Sequence, residues 1–168
     1  ILAVRSLELL SEQYELNVSA VDFIHRVLCE ISPEQAVRQE ILLMVEQKNI
    51  HGIQALVQSG RLTEEKATYL TALMKICAPL QEGLILAKKA VGNRPEGELL
   101  RGLQELSQLL NQLGMGESVR LDFSLVNSMD YYNGIIFQGF VPDVPAAVLF
   151  GGRYDKLPEK MGKRVGAI

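Results

Sequence analysis

The sequence of 168 residues is short of the residues that several kinds of function require. It contains only two histidines, and although His25 and Cys29 lie four positions apart on a predicted helix, a metal site or a Cys-His nucleophile would need further partners. The two cysteines, Cys29 and Cys77, both sit in apolar helical patterns, which is typical of buried free thiols in a reducing compartment. We therefore predict neither a metal site nor a disulfide bond.

Long apolar runs and an excess of basic charge are also missing. No stretch approaches the ~18 apolar residues of a membrane span, and no signal peptide is recognisable, so we expect a cytoplasmic protein that contacts no membrane. The net charge is −3, and the 17 lysines and arginines are scattered. The densest basic pair, Lys88-Lys89, is too small to neutralise many phosphates, which argues against binding of nucleic acid.

The amino-terminal part shows the patterns of a helix, a strand and a second helix. Leucines recur at helical spacing up to Leu10, and an alternation from Tyr14 to Val18 predicts a short strand. Ser19, with Asp22 three residues later, predicts an N-cap for the next helix. The sequence has no initiator methionine and ends where an apolar strand begins, so we expect a piece of a larger protein.

The middle of the chain is predicted to be almost entirely helical. Ser32 is a predicted N-cap, Pro33 suits the first helical position, and Gln35 can complete a capping box. Gly114 closes the last helix. The predicted helices cover residues 33–48, 50–58, 64 to before 79, 81–91 and 95–113, and the last carries a stripe of Leu99, Leu103, Leu106, Leu110 and Leu113 on one face.

From residue 119 the composition changes to glycine, aromatic and β-branched residues. Strands are predicted at 119–123, 135–137 and 146–150, with a turn at the two prolines of residues 142–145. Helices in one block and strands in another predict an α+β fold.

Two tyrosines, Tyr131 and Tyr132, stand between the first two of these predicted strands. If the strand is continuous, Tyr132 shares a face with Gly134 and Ile136, and Gly134 leaves space beside the Tyr132 ring for a ligand. Tyr131 then packs behind it. Asn133-Gly134 is also a typical type I′ hairpin turn, and the residues alone leave this alternative open.

A second motif, Gly151-Gly152-Arg153-Tyr154-Asp155, follows the last predicted strand. Its glycines allow backbone amides to approach a carboxylate or another anion, and Arg153 could form an ion pair with it. An ordinary β-turn is the simpler interpretation of such a glycine pair taken alone.

Together, the motifs at 129–137 and 151–155 and the closing Val-Gly-Ala-Ile resemble the histidine-pocket half of the histidyl-tRNA synthetase catalytic core. They are most similar to a paralogous family, the regulatory subunits of ATP phosphoribosyltransferase. The resemblance implies a fragment of a class II synthetase-like antiparallel sheet. Residues 1–31 and 115–168 would belong to that core and residues 32–114 to an inserted helical domain. It also implies a histidine pocket formed by Tyr131, Tyr132, Gly151, Gly152, Arg153 and Tyr154.

Asn127 departs from the synthetase pattern, which has an arginine at this position. Activation of an amino acid with ATP builds negative charge on the α-phosphate, and a fixed cation there typically contributes ~3 kcal/mol or more. Asn127 is neutral and cannot supply it. A glycine is also replaced by Ser128, and Phe150 stands where synthetases usually have a third glycine. These changes favour a pocket that binds histidine without activating it.

The resemblance to the regulatory family implies a subunit that is not an enzyme and needs no cofactor. It would bind and activate the short catalytic subunit of ATP phosphoribosyltransferase, self-associate through the synthetase-like core, and respond to histidine as effector. The alternative is a histidyl-tRNA synthetase fragment, which would activate histidine and charge tRNA. A helical interaction module with a small sheet would explain the helices but neither motif.

Overall fold

A computed structural model describes residues 1–126 and 132–153. Three of the predicted site residues, Asn127, Tyr131 and Tyr154, lie outside the described residues. The elements in chain order are α1 (Leu2–Leu10), β1 (Glu15–Ala20), α2 (Val21–Ile31), α3 (Gln35–Glu46), α4 (Ile50–Gln58), α5 (Glu64–Met74), β2 (Cys77–Pro79), α6 (Leu80–Val91), a 3-10 helix (Pro95–Leu100), α7 (Arg101–Gln112), β3 (Val119–Asp122), β4 (Asn133–Phe140) and β5 (Leu149–Arg153).

The five strands form one sheet in the order β2-β3-β1-β4-β5. Three of the four pairings are antiparallel, and β1 pairs with β3 in parallel. The register places Asn17 of β1 opposite Gln138 of β4 and Val18 opposite Phe137. The α+β class is therefore confirmed, with a mixed sheet of mainly antiparallel strands.

One face of the sheet is covered by helices. Leu121 of β3 contacts Gly83 of α6 so closely that a Cβ on the glycine would lie 2.8 Å from the Leu121 Cβ atom. Leu7 of α1 packs on Gly139 of β4 in the same way. Val18 and Leu121 are 2% and 0% exposed. Since strand side chains alternate, Asn17, Ser19, Asp122 and Gln138 project from the opposite side, which we call the polar face.

Several helix boundaries agree with the predictions because local signals set them. Helix α4 covers 50–58 as predicted, and the Thr63 hydroxyl accepts a hydrogen bond from Lys66 N at the start of α5. Helix α3 begins at Gln35, two residues later than predicted, since the backbone of Glu34 is extended and its N–H donates to Ser32 Oγ at 3.2 Å. Helix α3 ends at Glu46, shortly before Lys48 adopts a left-handed conformation with φ of 51°.

The predicted N-cap at Ser19 is wrong. Ser19 lies inside β1 and is 0% exposed, and α2 starts after Ala20 without a capping side chain. The carboxylate of Asp22 instead accepts a hydrogen bond from the backbone N–H of Gly134, at 2.9 Å. Gly134 is 112 residues away from Asp22, so the local sequence contains no signal that predicts this hydrogen bond.

Strand β2 was not predicted, because three residues are too short for a periodic signal. It pairs antiparallel with β3, and Arg120 donates to the carbonyl oxygen of Cys77 at 2.9 Å. Residues from the segment 32–114 thus contribute to the sheet, and the division into core and helical insertion stays a prediction. Cys77 and Cys29 are free but exposed, so the prediction of buried thiols is wrong.

The last predicted helix begins as a 3-10 helix, which changes the side-chain phase before α7 begins at Arg101. Leu103 and Leu110 are buried as predicted, but Leu99 and Leu113 are 42% and 45% exposed, and Leu100 is buried instead. The predicted leucine stripe is therefore only partly correct. In the described part of the chain, no helix has both the length and the apolar character needed to cross a membrane.

Candidate functional site

The Tyr132 ring lies over Gly152 on the polar face of the sheet. A Cβ atom on Gly152 would be 2.6 Å from Tyr132 Cδ1 and 2.8 Å from Ile136 Cγ2, so only glycine leaves room for this ring. Because the same missing Cβ would meet both side chains, Tyr132 and Ile136 lie on the same side of β5. Tyr132 precedes β4, which begins at Asn133, so a regular strand does not continue through Tyr132 as the continuous-strand interpretation required. We call the surface formed by Tyr132, Ile136 and Gly152 the tyrosine platform.

Gly151 leaves room for an aromatic ring on the opposite face of β5. A Cβ on Gly151 would lie 2.5 Å from Phe137 Cζ, and Phe137 alternates with Ile136 along β4, so it faces the helices. The glycine pair therefore allows one aromatic ring to pack closely on each side of β5. Its residues belong to β5 and pair with β4, so this pair does not form an isolated β-turn.

Gly134 sits at an irregular start of β4. Its φ is +64°, the register between β4 and β5 shifts between Asn133 and Ile136, and Asp22 accepts the Gly134 N–H. The residues Asn133-Gly134 thus form a bulge at the start of a strand, and the hairpin-turn alternative is wrong. A Cβ on Gly134 would meet nothing within 4 Å, so there is open space at this point of the chain.

Arg153 is exposed at the end of β5, opposite Asn133 in the register. The structure thus brings Tyr132, Gly152 and Arg153 to one end of the β4–β5 pair, and Gly151 lies beside them on the other face. The contributions of Asn127, Tyr131 and Tyr154 stay predictions.

A polar pocket of about 250 Å³ opens on the same face of the sheet, and none of the platform residues lines it. It extends over the strands β1, β3 and β4, and the end of α3 and the residues after β3 form its walls. We call it the polar-face pocket. Its lining residues are Asn17, Glu46, Asp122, Ser124, Leu125, Val126, Gln138 and Phe140.

Asp122 organises one wall of this pocket. It is 7% exposed, and its Oδ1 atom accepts hydrogen bonds from the Ser124 backbone N–H at 2.8 Å and from the Ser124 hydroxyl at 2.6 Å. Its Oδ2 atom accepts from Lys48 Nζ at 2.8 Å. Lys48 therefore supplies the positive charge that a buried carboxylate needs, and it joins the end of α3 to the end of β3.

Sequence reasoning missed the polar-face pocket. The spacing Asp122-x-Ser124 is typical of a local turn in which an aspartate binds its own downstream backbone, and it could have been noticed. No local signal could have connected Lys48 with Asp122, because 74 residues separate them.

The polar face also contains buried acceptors without partners in the described residues. Asn17 Oδ1 and Ser19 Oγ are inaccessible to solvent and have no hydrogen-bond partner there. Unsatisfied buried oxygens cost free energy and are uncommon away from sites that bind water or a ligand.

A second buried polar group lies among the helices. The hydroxyl of Tyr69 donates to Glu96 Oε1 at 2.9 Å, and the Arg94 guanidinium lies 4.4 Å from the centre of the Tyr69 ring. Glu96 is 1% exposed. Burial, followed by the hydrogen bond and charge of Glu96, raises the pKa of the Tyr69 hydroxyl above its ordinary value. Tyr69 thus stays a neutral donor, and this cluster connects α5 to the 3-10 helix.

Comparison with known proteins identifies the family. The family model described as "Histidyl-tRNA synthetase" matches residues 1–168. The chain belongs to the histidyl-tRNA synthetase family. This result confirms the resemblance seen in the two motifs.

Among members of this family, the chain is similar to proteins named ATP phosphoribosyltransferase regulatory subunit. The one from Lactococcus lactis subsp. cremoris (strain SK11) is 33% identical over 154 residues, which are 91% of this chain and 46% of that protein. The one from Acetivibrio thermocellus is 26% identical over 152 residues. The chain spans 36% to 41% of the length of three such relatives.

Solved structures show the same fold. A protein from Bacillus halodurans C, described as an ATP phosphoribosyltransferase regulatory subunit/histidyl-tRNA synthetase, superimposes with a TM-score of 0.80 at 22% identity. The match covers 92% of this chain and 40% of that one. This likeness confirms the class II synthetase-like fold predicted from the sequence.

Proposed function

We propose that this chain is part of a regulatory subunit of ATP phosphoribosyltransferase that binds histidine at the tyrosine platform. The observation that carries the proposal is the Tyr132 ring held over Gly152 on the polar face, beside Ile136. An aromatic ring with a hydroxyl group can both stack on an imidazole and form a hydrogen bond with one of its nitrogens. The names of the relatives support the same assignment.

Histidine binding without catalysis follows from the residues of the proposed pocket. Asn127 cannot stabilise the charge that forms on the α-phosphate of ATP, which is typically worth ~3 kcal/mol or more, or about two orders of magnitude in rate. The protein would therefore have no ligase activity and need no cofactor. Histidine would act only through its different affinities for two states of an assembly.

The proposed partner is the short catalytic subunit of ATP phosphoribosyltransferase. One solved structure with this fold, at a TM-score of 0.64 and 19% identity, belongs to the ATP phosphoribosyl transferase (HisG:HisZ) complex from Thermotoga maritima. In our proposal the regulatory subunit activates its partner and conveys feedback inhibition by histidine. Self-association through the synthetase-like core and a cytoplasmic location belong to the same proposal.

Calorimetry and ATP–pyrophosphate exchange with the complete protein would test these assignments together. We expect histidine to bind and Tyr132→Ala to weaken binding at least tenfold, because the ring contact with the ligand is lost. Histidine-dependent exchange should stay at background. A folded Tyr132→Ala protein with unchanged affinity would refute the placement of histidine on the platform.

A histidyl-tRNA synthetase is the second candidate, and the description of the family model favours it. Exchange clearly above background would show that another cation compensates for Asn127, and it would decide for the ligase. Binding of histidine without exchange would decide for the regulator.

A further inference from the structure

We propose that Asn133-Gly134 is a site of spontaneous deamidation and that the Asp22 carboxylate sets its rate by holding the Gly134 N–H. Asn133 is the only asparagine of the sequence that a glycine follows. Glycine has no side chain to hinder its own backbone nitrogen, so this dipeptide favours attack of that nitrogen on the asparagine side chain. The inference does not depend on the proposed binding of histidine.

The reaction conserves atoms and involves no oxidation or reduction. The backbone nitrogen of Gly134 loses its proton and forms a bond to Asn133 Cγ. The bond from Cγ to Nδ2 breaks, the departing nitrogen takes up the proton, ammonia leaves, and a cyclic imide remains. Water then opens the ring at either carbonyl carbon, which gives aspartate or isoaspartate. Water is the only co-reactant, and a carboxylate replaces a neutral amide.

The backbone at Gly134 leaves room for this step. Its φ is +64°, and a Cβ atom there would meet nothing within 4 Å. The register between β4 and β5 shifts between Asn133 and Ile136, so Gly134 lies in an irregular part of the strand. Asn133 Oδ1 accepts no hydrogen bond from the part of the chain that the structure describes. Turning the side-chain amide toward Gly134 therefore breaks no hydrogen bond to this oxygen.

Two features of the folded protein slow the attack. The Gly134 N–H donates to Asp22 Oδ2 at 2.9 Å, and this charge-assisted hydrogen bond keeps the proton on the nitrogen and fixes its direction. Attack also places negative charge on Asn133 Oδ1, a buried atom with no donor among the described residues. The nitrogen therefore reacts only when the bulge opens locally and Gly134 leaves Asp22.

Deamidation would change the start of β4 in either of its outcomes. The aspartate product adds a negative charge beside Gly134, whose N–H is held by the carboxylate of Asp22, at a position opposite Arg153 in the register. The isoaspartate product inserts an extra methylene into the backbone of β4, which disrupts the pairing of β4 with β5 at this point. Both products loosen the bulge next to Tyr132.

Peptide mapping by mass spectrometry would test the inference on the complete protein, incubated at mildly alkaline pH. We expect conversion of Asn133 to be roughly five- to thirtyfold faster in Asp22→Ala than in the wild type, the range for loss of one hydrogen bond to a carboxylate at an exposed site. Asp22→Asn keeps a neutral acceptor, so its rate should exceed that of the wild type by roughly two- to fivefold. Wild-type protein unfolded in urea should convert faster than any folded variant.

Asn133→Gln is the matched control, because its longer side chain would have to close a six-membered ring, and the mass change should disappear from this peptide. The other asparagines are internal controls in the same digest. Equal rates at Asn133 in the wild type and a folded Asp22→Ala would overturn the role of Asp22, and so would equal acceleration at every asparagine. If Asp22→Ala does not fold, Asp22→Asn decides in the same way. Retention of Asn133 in the unfolded wild type would overturn the site itself.

Discussion

Gly152 offers a direct test of the tyrosine platform, because a single methyl group is enough to disturb it. In Gly152→Ala the new Cβ atom would lie 2.6 Å from Tyr132 Cδ1 and 2.8 Å from Ile136 Cγ2. Both distances are well below van der Waals contact, so at least one side chain must move. Crowding of this kind typically costs 1–3 kcal/mol. Reduced entropy of the unfolded chain returns about 0.4–1 kcal/mol, so we expect a net loss of up to about 2.6 kcal/mol, with a mid-range value near 1.3 kcal/mol.

Gly151→Ala is the matched control, because its Cβ atom would meet Phe137 on the other face at 2.5 Å. Denaturant unfolding and histidine calorimetry should be carried out on both variants. We expect both to lower the free energy of unfolding, but only Gly152→Ala displaces the Tyr132 ring and should weaken histidine binding by an order of magnitude or more. Equal histidine affinities for the two variants would show that the platform does not contact the ligand.

A double-mutant cycle tests the contact between Tyr132 and Gly152 directly. If the Tyr132 ring is what the new methyl group meets, Gly152→Ala should cost less in a Tyr132→Ala background. Contacting pairs typically couple by 0.5–3 kcal/mol. Because Ile136 also contacts this position, some cost should remain. Strict additivity of the two substitutions would refute the contact between Tyr132 and Gly152.

Two further variants test contacts that the sequence did not reveal. Asp22→Ala removes the acceptor of the Gly134 N–H, and the loosened bulge should reduce histidine affinity about two- to tenfold. Asp22→Asn keeps an acceptor and should bind histidine like the wild type. Equal histidine affinities for the two variants would refute this role of Asp22. Tyr69→Phe removes a hydrogen bond from the buried Glu96 and should lower the free energy of unfolding by about 1–3 kcal/mol in denaturant titrations near neutral pH. Since the pKa of the Tyr69 hydroxyl is raised in the folded state, its contribution to stability is complete below about pH 10 and declines above it. The variant should lose less stability than the wild type as the pH rises through that range, and parallel pH profiles would contradict the reasoning.

The glycine pair of β5 is explained by packing on both faces of the strand. Both glycines are required because aromatic rings approach β5 from its two faces, and this packing alone explains why larger residues are excluded. The proposed ligand would then lie on a ring that the strand itself holds in place. A rigid aromatic surface loses little conformational entropy on binding, which suits an effector site.

The predictions that succeeded depended on signals within a few residues. Residues 50–58 form α4 as predicted, and Thr63 caps α5, because turn and capping preferences act locally. The predictions at Ser19 and in the leucine stripe failed where tertiary packing changed the element boundaries or the side-chain phase. Ser19 is held in β1 by pairing with β4, and this pairing outweighs its preference for a helix cap.

The sequence by itself determined the family, the α+β class and the two motifs with Tyr132 and the glycine pair, because composition, periodicity and short motifs are local properties of a chain. Only the tertiary structure decided what surrounds them. It paired Lys48 with Asp122, which is 74 residues away, and Asp22 with the Gly134 N–H, which is 112 residues away. It also brought Glu46 to the pocket on the polar face. Such pairings depend on how the sheet and helices pack, and a carboxylate or lysine shows no partner in sequence until the fold brings one within hydrogen-bonding distance.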